Sequence, residues 1–256
     1  MPFVELPHSP HVPGVRPVRI HYRVVGRGGQ WSSCMVGGVI GSIPFNRQVE
    51  AFGDQVRFVI PDRSGYGRSA RWRKQMPTDF HQRAAEETLS VLTALGIEQA
   101  IFWGHSDGAV IATRIGLSAP TRCARLILEA FHFYRNKPNS RAFFEQFATH
   151  SEEIKEKAQK LLVMDHGEEQ WKIVVQRNCR AWLRIATQSM RSANDLYDGR
   201  LSELRVPVTF VHGRCDPRTE TGEIERAREA LARAELRFIK AGRPTERITC
   251  LVPASP

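Results

Sequence analysis

The segment Gly104-His105-Ser106-Asp107-Gly108 has the residue types and spacing that point most directly to chemistry. It lies between the apolar run AIFW and the helical run AVIATRIGL, which predicts a strand, a sharp turn and a helix. Glycine is needed two positions before and after the serine, because side chains there would clash as the turn closes. The following helix directs its first N–H groups and the positive end of its dipole at the same place. The pattern predicts a nucleophilic Ser106 whose developing oxyanion is held by the Asp107 N–H.

Strands and helices alternate along most of the chain, and these elements must position the turn. One helix is predicted to end at Gly96, because glycine favours the left-handed capping conformation. The alternation predicts an α/β fold with a mostly parallel central sheet and helices on both faces. The predicted strands are VRPVRIHYRVVGRGG, VRFVI, QAIFW, ARLILEA, VPVTFVHG and ELRFIKAG, and the predicted helices are FHQRAAEETLSVLTALGI, AVIATRIGL and TETGEIERAREALARA.

The alternation stops in the middle of the chain, where the sequence looks purely helical. We therefore expect a helical cap insertion at residues 132–200, above a core formed by residues 1–131 and 201–256. A plain run of packed helices is the alternative. Five aromatic residues of this region can either line a ligand pocket or pack between helices; they are Phe143, Phe144, Phe147, Trp171 and Trp182.

Composition excludes several classes of protein. With 256 residues, 41% hydrophobic and 25% charged, the chain is unlike a disordered protein or a small disulfide scaffold. No apolar run is long enough to cross a bilayer, and the start lacks the features of a signal peptide, so we expect a cytoplasmic location. Five scattered cysteines without CxxC spacing predict reduced thiols and no metal site.

The formal net charge of +10 raises the question of an anionic partner. Basic residues are interleaved with acidic ones instead of forming a run, so we expect neither nucleic-acid nor membrane binding and predict a small-molecule substrate. Binding to nucleic acid or a membrane surface stays an alternative that rests on net charge alone. The sequence does not indicate an oligomeric state.

In these features the chain resembles the α/β-hydrolase superfamily, and the resemblance extends from its start to about Gly242. IPDRSGYGRS resembles the family's DxxGxGxS loop, VPVTFVHGRCDP resembles its strand followed by the catalytic acid, and the helical insertion lies where the family has its cap. GHSDG resembles members that hydrolyse small esters. Serine in place of aspartate at the turn disfavours the haloalkane dehalogenase and epoxide hydrolase branches.

The resemblance implies roles for individual residues. Ser106 would attack a small ester, thioester, lactone or similar acyl substrate to form an acyl-Ser106 intermediate, without a cofactor or metal. Asp216 would be the acid of a Ser–His–Asp triad, and the N–H groups of Asp107 and of the loop at Gly37 and Gly38 would hold the oxyanion.

Three carboxylates were weighed as the triad acid. The alternative for Asp216 is an ordinary Asx turn before Pro217. Glu129, at the end of ARLILEA, is a second candidate acid. We interpret Asp62 as a structural loop residue.

The histidine of the triad is the main departure from the family. It is expected after the last strand, where this chain reads FIKAGR, and no histidine follows His212. His105 and His212 are interpreted as packing or turn residues, and His132 and His166 as residues of the cap region that can line a pocket. Ser106 would then lack activation, so a catalytically impaired binding protein of the same fold is the alternative function.

The segment GGQWSSCMVGGVIGS departs as well, because Ser32, Ser33 and Cys34 stand where a buried parallel strand is normally rich in Val, Ile and Leu. If both serines have TCN codons, a one-base shift over residues 30–38 encodes an apolar strand ending in His-Gly, which the family has there. We therefore interpret the segment as a short out-of-frame reading. A second shift near Gly242 would explain the proline-rich tail, with genuine divergence as the alternative.

We expect genomic TCN codons at Ser32 and Ser33, and we expect peptides of the native protein across residues 28–40 to contain an apolar run ending in His-Gly. Coding-DNA sequencing and peptide mass spectrometry measure both. AGY codons, or native peptides matching QWSSCMVGG, would contradict the hypothesis.

Overall fold

The computed structural model describes residues 2–28, 32–37, 45–188, 194–213, 216–231 and 234–239. The strands are β1 Phe3–Leu6, β2 Val18–Val25, β3 Ser32–Val36, β4 Arg57–Pro61, β5 Ala100–His105, β6 Cys123–Glu129, β7 Val208–Gly213 and β8 Glu235–Ile239. The helices are α1 Asn46–Phe52, α2 Phe80–Ala94, α3 Asp107–Ser118, α4 Pro138–Phe147, α5 Glu156–His166, α6 Trp171–Gln188 and α7 Glu223–Ala230.

The strands form one sheet in the order β1-β2-β4-β3-β5-β6-β7-β8. β2 is antiparallel to both β1 and β4, and the neighbours from β4 to β8 are parallel. The predicted α/β class with a mostly parallel sheet is confirmed. Because parallel strands end at the same edge, residues that follow β5, β6 and β7 come together there.

Helices cover both faces of this sheet. Apolar side chains of α2 and α3 pack on one face against Cys34, Val59, Phe102, Leu126 and Leu128. On the other face, Phe52 of α1 packs with Met35, Phe58, Ile60 and Trp103. Two-sided burial explains why β4 and β6 read as continuous apolar runs in the sequence.

β3 is the strand formed by the polar segment. It lies parallel between β4 and β5, where the sequence analysis expects an interior strand. Cys34 and Met35 are fully buried, and burial raises the pKa of the Cys34 thiol to about 12, so this thiol is neutral. Cys123 and Cys179 are also free and buried. Cys215 and Cys250 lie outside the described residues.

The end of α2 agrees with its sequence signal. Gly96 has φ +68°, its N–H donates to Thr93 O, and the Ile97 N–H donates to Leu92 O. This is a Schellman motif, in which two carbonyls of the last turn gain donors. The predicted helix end at Gly96 is therefore confirmed.

The middle of the chain contains α4, α5 and α6, between β6 and β7. The 3₁₀ turn Ser151–Glu153 separates α4 from α5 inside a stretch that looks helical throughout in the sequence. Arg177 of α6 donates to the carbonyls of Gly65 and Trp72, so α6 is fastened to the loop after β4. The division into a core and a cap at 132–200 stays a prediction. In the described part of the chain, no helix is long and apolar enough to cross a membrane.

The turn between β5 and α3 leaves no room for side chains at its two glycines. A Cβ at Gly104 would lie 2.2 Å from the carbonyl oxygen of Gly108, and a Cβ at Gly108 would lie 1.7 Å from the carbonyl oxygen of Val36. The backbones of β5, α3 and the end of β3 therefore contact one another directly. This close contact is the reason for the Gly-x-Ser-x-Gly spacing.

Gly108→Ala is expected to lower the free energy of unfolding by more than about 3 kcal/mol, because α3 or β3 must move to accept the methyl group. Urea unfolding of variant and wild type measures the difference. Gly213→Ala is the control, since among the described residues the nearest atom to a Cβ at Gly213 is 3.9 Å away. We expect a change below about 1 kcal/mol there. Similar losses in the two variants would contradict the role of the close approach.

Candidate active site

Ser106 lies on the turn between β5 and α3 in a strained conformation. Its φ and ψ are 57° and −121°, outside the regions that non-glycine residues normally occupy. The Ser106 N–H donates to Glu129 O at 2.9 Å, and the Ala109 N–H donates to Ser106 O at 2.8 Å. The turn is thus held from both sides, and the half-buried side chain stands at the carboxyl edge of the sheet.

His132 is the histidine that the fold brings to Ser106. Its Nε2 lies 3.2 Å from Ser106 Oγ. The register pairs His105 with Glu129 at the ends of β5 and β6, so residues shortly after these two strands meet. From the sequence, His132 is expected in the cap region, although its position just after a parallel strand is a usable signal.

A buried ion pair lies behind His132. Lys137 Nζ is 2.9 Å from Nδ1 of His132, and it donates to Oε1 and Oε2 of Glu223 at 2.9 and 2.8 Å. The exposed fractions of Lys137 and Glu223 are 3% and 0%. The N–H groups of Phe133, Tyr134 and Glu220 also donate to the Glu223 carboxylate. Sequence reasoning missed this pair, because its members are 86 positions apart.

Burial controls the protonation of His132 and Lys137. Burial, followed by the positive charge of Lys137, lowers the pKa of His132 well below its ordinary value, so the imidazole is neutral near pH 7. Burial also lowers the pKa of Lys137, although the Glu223 carboxylate opposes this shift. Both groups are therefore nearer to their uncharged forms than they would be in water.

Asp216 lies after β7, at the same edge of the sheet. Its Oδ1 accepts the Arg218 N–H at 2.9 Å, which is the Asx turn considered as the alternative. Its charge also acts on Lys137 and on His212. His212 is buried with Nε2 2.6 Å from Thr219 Oγ1, in agreement with a packing role. The catalytic assignment of Asp216 stays a prediction.

The Asp107 side chain fastens the turn to two helices. Its carboxylate lies 3.0 Å from His81 Nε2 of α2, and it accepts from Asn178 Nδ2 and Trp182 Nε1 of α6 at 2.7 and 2.9 Å. Burial alone would raise the pKa of Asp107. The hydrogen bond and charge of His81, with further polar neighbours, outweigh burial and hold this pKa below its ordinary value. Asp107 is therefore an anion beside the nucleophile.

The backbone N–H of Asp107 is one of the two predicted oxyanion donors, and this role stays a prediction. As the first residue of α3, Asp107 has an N–H without an intrahelical acceptor, which suits an oxyanion donor. The other predicted donor, Gly38, lies outside the described residues, as does the chain beyond residue 239.

Two other candidate acids have structural contacts. Glu129 accepts from Trp103 Nε1 at 3.0 Å and from Gln48 Nε2 at 3.2 Å, on the face of the sheet that carries α1. Asp62 lies 2.8 Å from His21 Nδ1 and accepts the Arg68 N–H at 2.9 Å. The Glu129 carboxylate thus binds side chains of β5 and α1, and Asp62 organises the loop after β4.

The aromatic residues of α4 and α6 mainly pack against each other. Phe144 stacks on Trp182 with ring centroids 5.6 Å apart, and Phe143 contacts Phe147 at 4.6 Å. Trp182 also meets His132 edge to face at 5.4 Å, so it connects this packing to the site. In the ranges described, no His, Cys, Asp and Glu side chains are grouped so that they could hold a metal ion.

Comparisons with known proteins show similarity to hydrolases of the alpha/beta hydrolase fold. The sequence model of the alpha/beta hydrolase fold matches residues 34–156. Mouse serine hydrolase BPHL is 26% identical over 208 residues, covering 79% of this chain and 69% of that protein. A thermophilic esterase from Thermogutta terrifontis superposes with a TM-score of 0.68 at 17% identity, over 94% of this chain and 90% of the esterase. The enol-lactonase from Burkholderia xenovorans LB400 gives 0.65 at 18% identity, over 93% and 91%.

Asp107→Ala is expected to lower the free energy of unfolding by about 3–5 kcal/mol, because it leaves buried donors on α2 and α6 without their acceptor. Since the pKa of Asp107 is lower in the folded than in the unfolded chain, its stabilisation is present above about pH 4. That contribution is lost as the pH falls through the lower folded value. Urea unfolding between pH 7 and pH 3 measures the loss in the variant and the onset of the pH-dependent loss in the wild type.

The control for this variant is Asp79→Ala, at an exposed aspartate that precedes α2 and pairs with Arg83. We expect a loss below about 1 kcal/mol there. If Asp107→Ala cost no more than Asp79→Ala, the carboxylate would not hold the turn to α2 and α6.

Proposed function

Because the chain belongs to the α/β-hydrolase fold superfamily, we propose that it hydrolyses a small ester, thioester, lactone or similar acyl substrate through an acyl-Ser106 intermediate. Similar proteins are named serine hydrolase, esterase and enol-lactonase, which supports an acyl substrate. The expected partner is a small molecule, and neither nucleic acid nor a membrane is part of the proposal.

The observation that carries the proposal is the distance of 3.2 Å between Ser106 Oγ and His132 Nε2 on a strained turn. A nucleophile needs a base within about 2.6–3.2 Å, or slightly more when no substrate is bound. His132 meets this requirement although it follows β6, where the family does not have its histidine. We assign His132 as the base of this chain.

The reaction then proceeds in two halves. In the first, Oγ of Ser106 attacks the acyl carbon, its proton passes to His132 Nε2, and His132 protonates the leaving group. In the second, water attacks the acyl-Ser106 ester and returns the proton to Oγ by the same route. The Asp107 N–H stabilises the oxyanion in both halves. Asp216 is the proposed acid, and its charge acts on Lys137, which contacts Nδ1 of His132.

The second candidate function is a binding protein of the same fold. The contact of 2.9 Å between Lys137 Nζ and His132 Nδ1 favours it. An ammonium group can only donate, so it would place the imidazole proton on Nε2, facing Ser106. In that state Ser106 has no base, and the site holds ligands without turnover.

A fluorophosphonate probe is expected to label Ser106, and Ser106→Ala should abolish labelling because no other serine stands on such a turn in the described part of the chain. His132→Asn should slow labelling about 100-fold or more, since it removes the base. In-gel fluorescence and mass spectrometry of the labelled peptide measure both effects.

Matched controls separate these effects from unfolding. Ser118→Ala changes an exposed serine at the other end of α3, and His150→Asn changes an exposed histidine; neither should alter labelling. A folded wild-type protein that stays unlabelled at every pH would favour the binding protein. Labelling that persists in Ser106→Ala would refute the assignment of the nucleophile.

A further inference from the structure

Four side chains form a continuous series from the nucleophile into the interior. Ser106 Oγ lies 3.2 Å from His132 Nε2, His132 Nδ1 lies 2.9 Å from Lys137 Nζ, and Nζ contacts both oxygens of Glu223. A protonated lysine has three N–H donors, and these three contacts use all of them. The neighbour of Nδ1 in this chain is therefore the amino group of a lysine, in the position where a Ser–His–Asp triad has a carboxylate.

The charge of that neighbour decides which way the imidazole proton points. When Lys137 is an ammonium, Nδ1 must accept, so a neutral His132 carries its proton on Nε2 and donates it to Ser106. When Lys137 is an amine, its lone pair can accept from Nδ1–H, and Nε2 presents a lone pair to the Ser106 hydroxyl. The same distances thus describe an inactive and an active arrangement.

We propose that Lys137 is a positioning residue that switches His132 between these arrangements, so that Ser106 becomes a nucleophile only when Lys137 loses its proton. This inference rests on the proposed function, because it concerns activation of the same serine. It assigns the buried Lys137–Glu223 pair a role in controlling the reaction.

The proton balance is complete in the active arrangement. Ser106 Oγ forms a bond to the acyl carbon while its proton moves to His132 Nε2. The resulting imidazolium is stabilised because its Nδ1 proton is shared with Lys137 Nζ, beside the Glu223 carboxylate. When the tetrahedral intermediate collapses, the Nε2 proton passes to the leaving group, and His132 and Lys137 return to their initial states.

Several charged groups set the pH of this switch. Glu223, Glu220 and Asp216 face Lys137 and favour its ammonium form, while burial favours the amine and lowers the pKa of Lys137 overall. We therefore expect the transition below the value of about 10.4 for a free lysine side chain. Asp107, His81 and His105 face His132, whose pKa lies well below its ordinary value. Protonation of His132 itself therefore does not produce the transition near neutral pH.

The first test is the pH dependence of fluorophosphonate labelling of the wild-type chain between pH 6 and pH 10.5. We expect the rate to rise about 100-fold or more through a single transition below the value of about 10.4 for a free lysine side chain. A rise complete by pH 7 would overturn the proposal, since it would report an ordinary histidine base.

The double variant Lys137→Met/Glu223→Gln removes the cation without leaving an unpaired buried carboxylate. It should label faster than wild type at pH 7 and should lose the alkaline rise, because Nδ1 no longer faces a cation. A purely structural role would instead lower the rate at every pH. Lys160→Met, at an exposed lysine paired with Glu156, is the control and should keep the wild-type profile.

A spectroscopic measurement keeps this inference separate from the proposed function. Nitrogen-15 NMR of histidine-labelled protein reports which ring nitrogen of His132 carries the proton, with His132→Asn providing the assignment. We expect Nε2–H at pH 7 and Nδ1–H above the transition. If the proton moves but no pH gives labelling, the switch holds and the serine hydrolase proposal fails; if labelling occurs with Nδ1–H already at pH 7, the switch fails and the hydrolase stands.

Discussion

The backbone contact between α3 and the end of β3 is the constraint on which the rest of the site depends. A Cβ at Gly108 would overlap the carbonyl group of Val36, and a Cβ at Gly104 would overlap the carbonyl group of Gly108. The backbones of β3, β5 and α3 are therefore in direct contact. Ser106 must then adopt a positive φ to connect β5 to α3. Its Oγ stands beyond the carboxyl edge of the sheet, where the chain leaving β6 and β7 also arrives. The backbone strain of the turn is confined to Ser106, and the packing of the parallel sheet compensates for its energetic cost.

Two buried carboxylates flank this turn, and they are compensated in different ways. Asp107 is surrounded by donors on α2 and α6, so its charge links the nucleophile to the helices around it. Glu223 receives backbone N–H groups and the Lys137 ammonium, so its charge holds a cation behind His132. Burying a charge costs free energy unless the charge is paired and hydrogen-bonded. The partners of Asp107 and Glu223 therefore keep each carboxylate ionised and also hold it in one position. The first set orients the turn at Ser106, and the second fixes the side chain behind His132.

The parts of the fold that depend on neighbouring residues could be predicted from the sequence, whereas the parts that depend on long-range packing could not. The turn at Ser106, the helix end at Gly96 and the mostly parallel sheet follow from glycine spacing and apolar periodicity, which are local signals. The contact of His132 with Ser106 requires the register between β5 and β6, and no local pattern encodes a register. No local signal in the sequence indicates that Lys137 and Glu223 are buried, because most lysines and glutamates are exposed unless a distant partner neutralises them.

The position of the histidine along the chain matters less than the charge of the group behind it. All strands from β4 to β8 end at one edge, so a histidine after β6 can reach Ser106 as well as one after β8. In a Ser–His–Asp triad, a carboxylate accepts from Nδ1–H and thereby keeps a lone pair on Nε2 for the serine. A protonated lysine at the same place donates to Nδ1, so the imidazole proton lies on Nε2. The heavy-atom distances are the same in both cases. Distance alone therefore does not make His132 a base. The number of protons on the Lys137–Glu223 pair decides whether this arrangement of atoms can activate Ser106.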